Sequence, residues 1–127
     1  MLDTDTVSFA LRGQGQVNAR IRENQPSLLC VSAISVAELR FGADHKKSNA
    51  IHAKIDAFLG DLEIVPFDEV CARHFGTIAS ALAGEGTPIG DFDVMIAATA
   101  LAVQATLVTN NVKHFARVRG LRVENWF

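Results

Sequence analysis

Apolar positions along this chain follow two rhythms. Short continuous runs, "LLCVSA", "LEIVPF", "ATLVTNN" and "LRVENW", are stopped by proline or turn-forming residues and predict buried strands, the first of these runs giving the chain's second strand over Leu28–Val31. Met1–Leu2 predicts a first strand of minimal length, frayed at its start. Elsewhere apolar residues recur at i, i+3 and i+4. This predicts helices from near Thr6, over about 14–24, from near Ser35 through "VAELRFGADH", and over about 48–60 with Ile51, Ile55, Phe58 and Leu59 inward. The clearest helical face runs from Phe67 to Leu82 and includes Val70, Cys71, His74 and Ile78. "FDVMIAATALAVQ" is apolar nearly all round, which suits a buried helix, with Asp91 as its N-cap. "VKHFARV" predicts one more short helix.

Strands alternating with helices predict an α/β fold: a sandwich with helices on both faces of a mostly parallel sheet of about four to five short strands. The length, 127 residues, fits one domain over 1–127. In such folds ligands gather at the carboxyl ends of the strands, so polar residues there matter most.

Composition narrows the class. Apolar residues make up 49% of the chain, enough for one core, and the mixed charges argue against disorder. No apolar run reaches the roughly 20 residues of a membrane helix, and no signal peptide is evident, so a cytoplasmic protein is expected. Cys30 and Cys71 each lie in apolar segments and read as free buried thiols. The histidines share no spacing with them that suggests zinc. The formal net charge is −2, unevenly spread. Residues 61–110 hold seven acids and one basic residue, Arg73, whereas 111–127 are mostly basic. Such a distribution is compatible with a metal site beside a polyanion groove, although overall charge alone favours an ordinary solvated surface.

The predicted strand ends collect carboxylates and amides. Asp3 and Asp5 follow the first strand, and Glu38 lies on the helix after the second. Thr109, Asn110 and Asn111 follow the strand ending at Val108. Asp91 and Asp93 open the helix before it. Each has a simpler reading: Asp3 or Asp5 as a helix cap, Glu38 in a capping box with Ser35, Asp91 as a cap, the asparagines as turn residues. Together at one sheet edge, the carboxylates would repel one another unless a cation lay between them. Oxygen ligands without placed Cys or His select a hard ion, Mg²⁺ or Mn²⁺.

The stretches "MLDTDT", "ISVAELRFGA", "PIGDFDVMIAATAL" and "LVTNNVKHFARVRGLRVENW" resemble, in order and over nearly the whole chain, the PIN-domain ribonucleases. More closely they resemble the VapC-type toxins of bacterial toxin–antitoxin pairs. That resemblance implies a PIN fold and a metal-dependent endoribonuclease, with Asp3, Glu38 and Asp93 as catalytic acids and metal ligands. Asp5 matches a position where the family has Asn or Asp, an auxiliary place, and Thr109 matches a small hydroxyl position near the metal. Asn111 stands where many members carry a fourth acid, and Asp91 could replace the missing charge. The resemblance also implies an RNA substrate, tRNA among the candidates, a VapB-type antitoxin as inhibitor and a homodimer. Rim cations that could hold RNA are Lys46, Lys47, Lys113 and Arg117.

Three rival readings remain at this point. "DTDTV" is similar to the nucleophile motif of haloacid-dehalogenase phosphatases, but the strand before it is too short. A phospho-acceptor receiver module would need an acceptor after a middle strand, where only Asp68 is offered, behind Pro66. A catalytically weak PIN-fold module that binds RNA or protein would keep the fold and lose the chemistry.

Overall fold

The computed structural model describes residues 1–127. Four strands are short: β1 (Cys30–Ser32), β2 (Glu63–Val65), β3 (Leu107–Val108) and β4 (Val123–Glu124). Leu2 completes the sheet by pairing parallel with Val31 on one side and Val108 on the other. Its amide donates to the Cys30 carbonyl over 2.9 Å, while the Val108 amide donates to the Met1 carbonyl over 2.8 Å. The strand order is therefore β2, β1, Leu2, β3, β4, with every pairing parallel.

Seven α-helices surround this sheet: α1 (Thr4–Leu11), α2 (Val17–Arg22), α3 (Ala33–His45), α4 (Asn49–Leu59), α5 (Glu69–Gly84), α6 (Asp91–Ala102) and α7 (Val112–Phe115). Strand side chains alternate between faces, and the core divides accordingly. Met1, Val65 and Leu107 join residues of α5, α6 and α7, including Ile78, Ile96 and Phe115. Leu2, Val31 and Val108 join residues of α1 to α4, including Val7, Val17, Leu39 and Ile55. Helix α6 meets α3, α5 and β1, which explains why its sequence is apolar nearly all round. No helix is long and apolar enough to cross a membrane.

The first strand is as short as expected, but it is not frayed. Met1 is buried, and its amino group donates to the Thr106 carbonyl over 2.7 Å. The second strand lies two residues later than predicted, because Pro26–Leu28 winds into a 3₁₀ turn that leaves Leu28 exposed. Helix α3 starts at Ala33 rather than near Ser35: the Ser32 hydroxyl accepts from the Ser35 amide over 3.0 Å and caps it. Asp68 caps α5 in the same way, through the Cys71 amide. Val70 consequently sits in the first turn and faces solvent, outside the predicted apolar face. Helix α6 has Gly90, not Asp91, at its N-cap. Cys30 and Cys71 are free, as expected, but only Cys71 is buried, Cys30 being half-buried.

Candidate active site

The carboxyl ends of Leu2, β1 and β3 point to one edge of the sheet. Each of those strands leads directly into polar residues there, and α6 enters from the same edge with its N-terminus. Asp3 follows Leu2 and is the N-cap of α1. Its Oδ1 accepts from the Thr6 amide over 2.8 Å, and the Thr109 hydroxyl lies within hydrogen-bonding reach. The Thr6 hydroxyl donates to the Val108 carbonyl over 3.0 Å, tying α1 to the end of β3. The cap reading of Asp3 and its place at the sheet edge are thus compatible. It is buried at 4% exposure, and that burial raises its pKa above the ordinary carboxylate value.

Glu38 stands in the second turn of α3. Because Ser32 caps that helix, Glu38 takes no part in a capping box. Its Oε1 accepts the Thr4 hydroxyl over 2.6 Å. Burial again raises its pKa, and the charges of Asp93 and Asp5 raise it further. Asp93 lies in the first turn of α6, with its pKa raised first by burial. His114 opposes that shift from 3.7 Å, and the charge of Asp5 adds to it. Asp5 is exposed in the first turn of α1, and its charge reaches Asp3, Glu38 and Asp93 alike. These four acids therefore share one electrostatic neighbourhood, with no arginine or lysine paired to any of them.

The remaining predicted residues are arranged around this mouth or away from it. The Thr109 hydroxyl is buried and accepts from the Asn111 amide over 2.9 Å, closing the turn after β3. The Asn111 side chain meets His114 Nδ1 at 2.9 Å, so it braces the histidine that faces Asp93. Asp91 is exposed at the first position of α6 and makes no capping bond. Lys46 lines a cleft that begins at Glu38. Lys47, with φ 51°, is the left-handed residue that ends α3. Lys113 is exposed on α7 beside His114. Arg117 lines a different cleft, with His74 and Arg119, between α5 and the segment after α7.

Thr4, Thr6 and His114 were not singled out by the sequence. Thr4 and Thr6 flank Asp5 in "DTDT" and read as spacers until α1 begins at Thr4. The spacing Asn111-x-x-His114, one helical turn, was the available signal for His114.

No three carboxylates, thiols or imidazoles close into a ready-made coordination cluster. The acids instead face one mouth, with Glu38 held by Thr4 and Asp3 by Thr6. The donor set is entirely oxygen, which fits Mg²⁺ or Mn²⁺ and not a thiophilic ion.

A parallel sheet of this order with acids from Leu2, α3 and α6 at its carboxyl edge defines a class, and comparison with known proteins agrees. Residues 1–121 match the PIN domain family, and the chain belongs to it, among the VapC ribonucleases. It is 41% identical to ribonuclease VapC2 of Rickettsia felis, over 99% of this chain and 96% of that protein. It is 36% identical to the tRNA(fMet)-specific endonuclease VapC of Salmonella typhimurium, with the same coverage. Among solved structures, VapBC2 from Rickettsia felis bound to a promoter DNA fragment superposes with a TM-score of 0.91 at 35% identity, covering 100% of this chain and 98% of that one. FitAcB from Neisseria gonorrhoeae gives a TM-score of 0.86 at 33% identity, covering 98% and 95%. The activity of this class is ribonuclease, and the phosphatase and receiver readings fall away.

Proposed function

We propose that the protein hydrolyses phosphodiester bonds of tRNA at the mouth formed by Asp3, Glu38 and Asp93, with Mg²⁺ or Mn²⁺ as cofactor. The supporting observation is electrostatic. Three acids with burial-raised pKa values and a fourth charge, Asp5, meet at one strand edge with no arginine or lysine paired to them, and only His114 beside Asp93 offsets the charge. A divalent ion there supplies water activation and stabilises charge on the phosphate oxygens. Asp3, Glu38 and Asp93 are the residues that would hold it, with Asp5 adding charge from the rim.

The chain's own groups then position and transfer. Thr6 and Thr109 fix Asp3, Thr4 fixes Glu38, and His114 with Asn111 fixes Asp93. Water attacks phosphorus and the 3′ oxygen leaves, giving a 5′ phosphate and a 3′ hydroxyl. Buried carboxylates of raised proton affinity are the bases available to accept the proton of that water.

The tRNA assignment draws on the Salmonella relative, whose name specifies tRNA(fMet). The partner is a VapB-type antitoxin, a reading supported by the VapBC complexes among the structural relatives. The site of action is the cytoplasm, where both tRNA and antitoxin are made. Cleavage of purified tRNA with Mg²⁺, with EDTA, and by Asp93→Asn tests this reading. Loss of cleavage in the last two is expected; equal cleavage by Asp93→Asn overturns the assignment of the site.

A further inference from the structure

A cleft of about 300 Å³ lies between α5 and the segment that follows α7. Its floor is apolar: Ile78 and Leu82 of α5, Leu101 near the end of α6, and Val118. Its rim is cationic. Arg117 and Arg119 line it from one side and His74 from α5, with Glu85 as the only carboxylate. None of these residues belongs to the acid mouth.

The cleft nevertheless begins close to that mouth. His114 lies 3.7 Å from Asp93, and the Arg117 amide donates to the His114 carbonyl over 3.3 Å, so Arg117 stands one turn beyond the mouth. Along α6, Leu101 follows Asp93 by about 12 Å, at about 1.5 Å per residue. Roughly three to four stacked nucleotides cover that distance, at about 3.4 Å per phosphate of a strand.

The charges on the rim are available. Arg117 makes no ion pair. Arg119 meets Glu85 at 3.4 Å, but the two side chains are 88% and 45% exposed, so the pair is weak and yields to a phosphate.

We infer that this cleft is a second RNA contact, which takes an unpaired nucleotide of the substrate a few positions from the scissile phosphate. The base lies on the apolar floor beside His74, and Arg117 and Arg119 are positioning residues on the flanking phosphates. The inference rests on the ribonuclease site proposed above. Two guanidiniums over an apolar floor match a phosphate that carries a flat base, and unpaired bases are what RNA offers for such recognition. The distance from Asp93 gives the contact a consequence: it favours RNAs long enough to reach both places.

Steady-state cleavage by the full chain with Mg²⁺, at several salt concentrations, tests this on two substrates. One is bulk bacterial tRNA; the other is a short RNA spanning the bond cut in that tRNA, with two nucleotides on either side. On tRNA, Arg117→Gln/Arg119→Gln raises KM roughly 10- to 30-fold at about 0.1 M salt, leaves kcat unchanged and reduces the salt slope by about 1.4, since each single-strand phosphate contact contributes about 0.7. On the short RNA the same variant matches wild type. Ala81→Glu, at an exposed position of α5 that lines the cleft, keeps a good helix former, adds a repelling charge and gives the same pattern. Arg73→Gln, which removes a charge of α5 outside the cleft, alters neither substrate. If the cleft variants match wild type on tRNA in KM and salt slope, the second contact is overturned while the ribonuclease site stands. If they weaken cleavage of both RNAs equally, the cations act at the mouth and the inference fails. If they keep wild-type kinetics but escape inhibition by a VapB-type antitoxin, the cleft belongs to a protein and the inference fails. If wild type cleaves no tRNA with Mg²⁺ or Mn²⁺, the site reading fails and takes this inference with it.

Discussion

The Thr4 hydroxyl donates to Glu38 Oε1 over 2.6 Å, joining the first turn of α1 to the second turn of α3. Those two helices follow different strands, so this bond sets the spacing between the Asp3 and Glu38 sides of the mouth. Replacing Thr4 with Val keeps the shape and removes the donor. Glu38 is then left with its pKa raised further, because the lost bond favours the ionised form. The expected cost is about 1.5 kcal/mol in stability and about tenfold in kcat, by the ordinary worth of one hydrogen bond to a charged group. Thr4→Ser restores most of both. Denaturant melts and single-turnover cleavage measure the two quantities separately.

The contribution of the three site acids to stability should fall as pH rises through their own range, whereas Asp68, whose pKa is lowered by its cap bond from the Cys71 amide, contributes with the opposite sign. Asp3, Glu38 and Asp93 all have pKa values raised in the folded protein. Between the ordinary carboxylate value and the raised one, the native state binds more protons than the unfolded state. Unfolding free energy therefore decreases with pH in that window and stays low above it. Activity runs the opposite way, because the ionised acids are needed. Asp93→Asn removes one of the repelling charges, so in EDTA above neutral pH it should raise Tm while abolishing cleavage. Thermal melts of both proteins from pH 4 to pH 8 check the sign.

A divalent ion should reverse that order. An ion that binds only the folded mouth stabilises by about 2.7 kcal/mol at a concentration 100-fold above its Kd. Wild-type Tm is expected to climb with Mg²⁺ or Mn²⁺, and that of Asp93→Asn is expected to respond weakly. Equal shifts in the two proteins would place the ion elsewhere.

Gly42 lies inside α3 with ordinary helical geometry and open space where a Cβ would stand. Ala there should stabilise the fold by about 0.5–1 kcal/mol, through helix propensity alone. Gly76, exposed in α5 with equal space, should respond similarly. Chemical denaturation of both variants tests the pair, and unequal gains would show that the Gly42 site is constrained by more than propensity.

Much of this architecture was legible because its signals are local. "LEIVPF" is stopped by Pro66, and β2 ends at Val65. "FDVMIAATALA" reads as a buried helix, and Val94 and Ile96–Ala100 of α6 are buried, although Phe92 at its start is exposed. Helix starts were less legible because two residues can compete for one cap. Ser32 and Ser35 both fit α3, and the position of β1 decided between them. Asp91 lost its capping place because Gly90 leaves the preceding loop extended, with ψ 150°. The acids could be placed on one sheet edge from strand order alone. Arg12 and Lys54 could not be joined to that edge, since 42 positions separate them and only the packing of α1 against α4 brings both to one cleft.

Leu2 concentrates most of the dependence of site on fold. A single fully buried residue bridges β1 and β3, and Asp3 follows it at once. The backbone bridges on both sides, through Cys30 and Val108, do not depend on the side chain. The side chain fills the core shared with Val7, Val31 and Val108, so Leu2→Ala should cost about 3–5 kcal/mol, in the range for a buried Leu that leaves a cavity. At temperatures where the variant is still folded, Asp3 keeps its Thr6 cap but rests on a loosened strand. Cleavage should then drop more than the folded fraction does, because an acid displaced by about 1 Å can lose about 100-fold in rate. Activity measured alongside circular dichroism at 10 °C separates the two effects, and activity that tracks the folded fraction alone would show that α1, not the strand, positions Asp3.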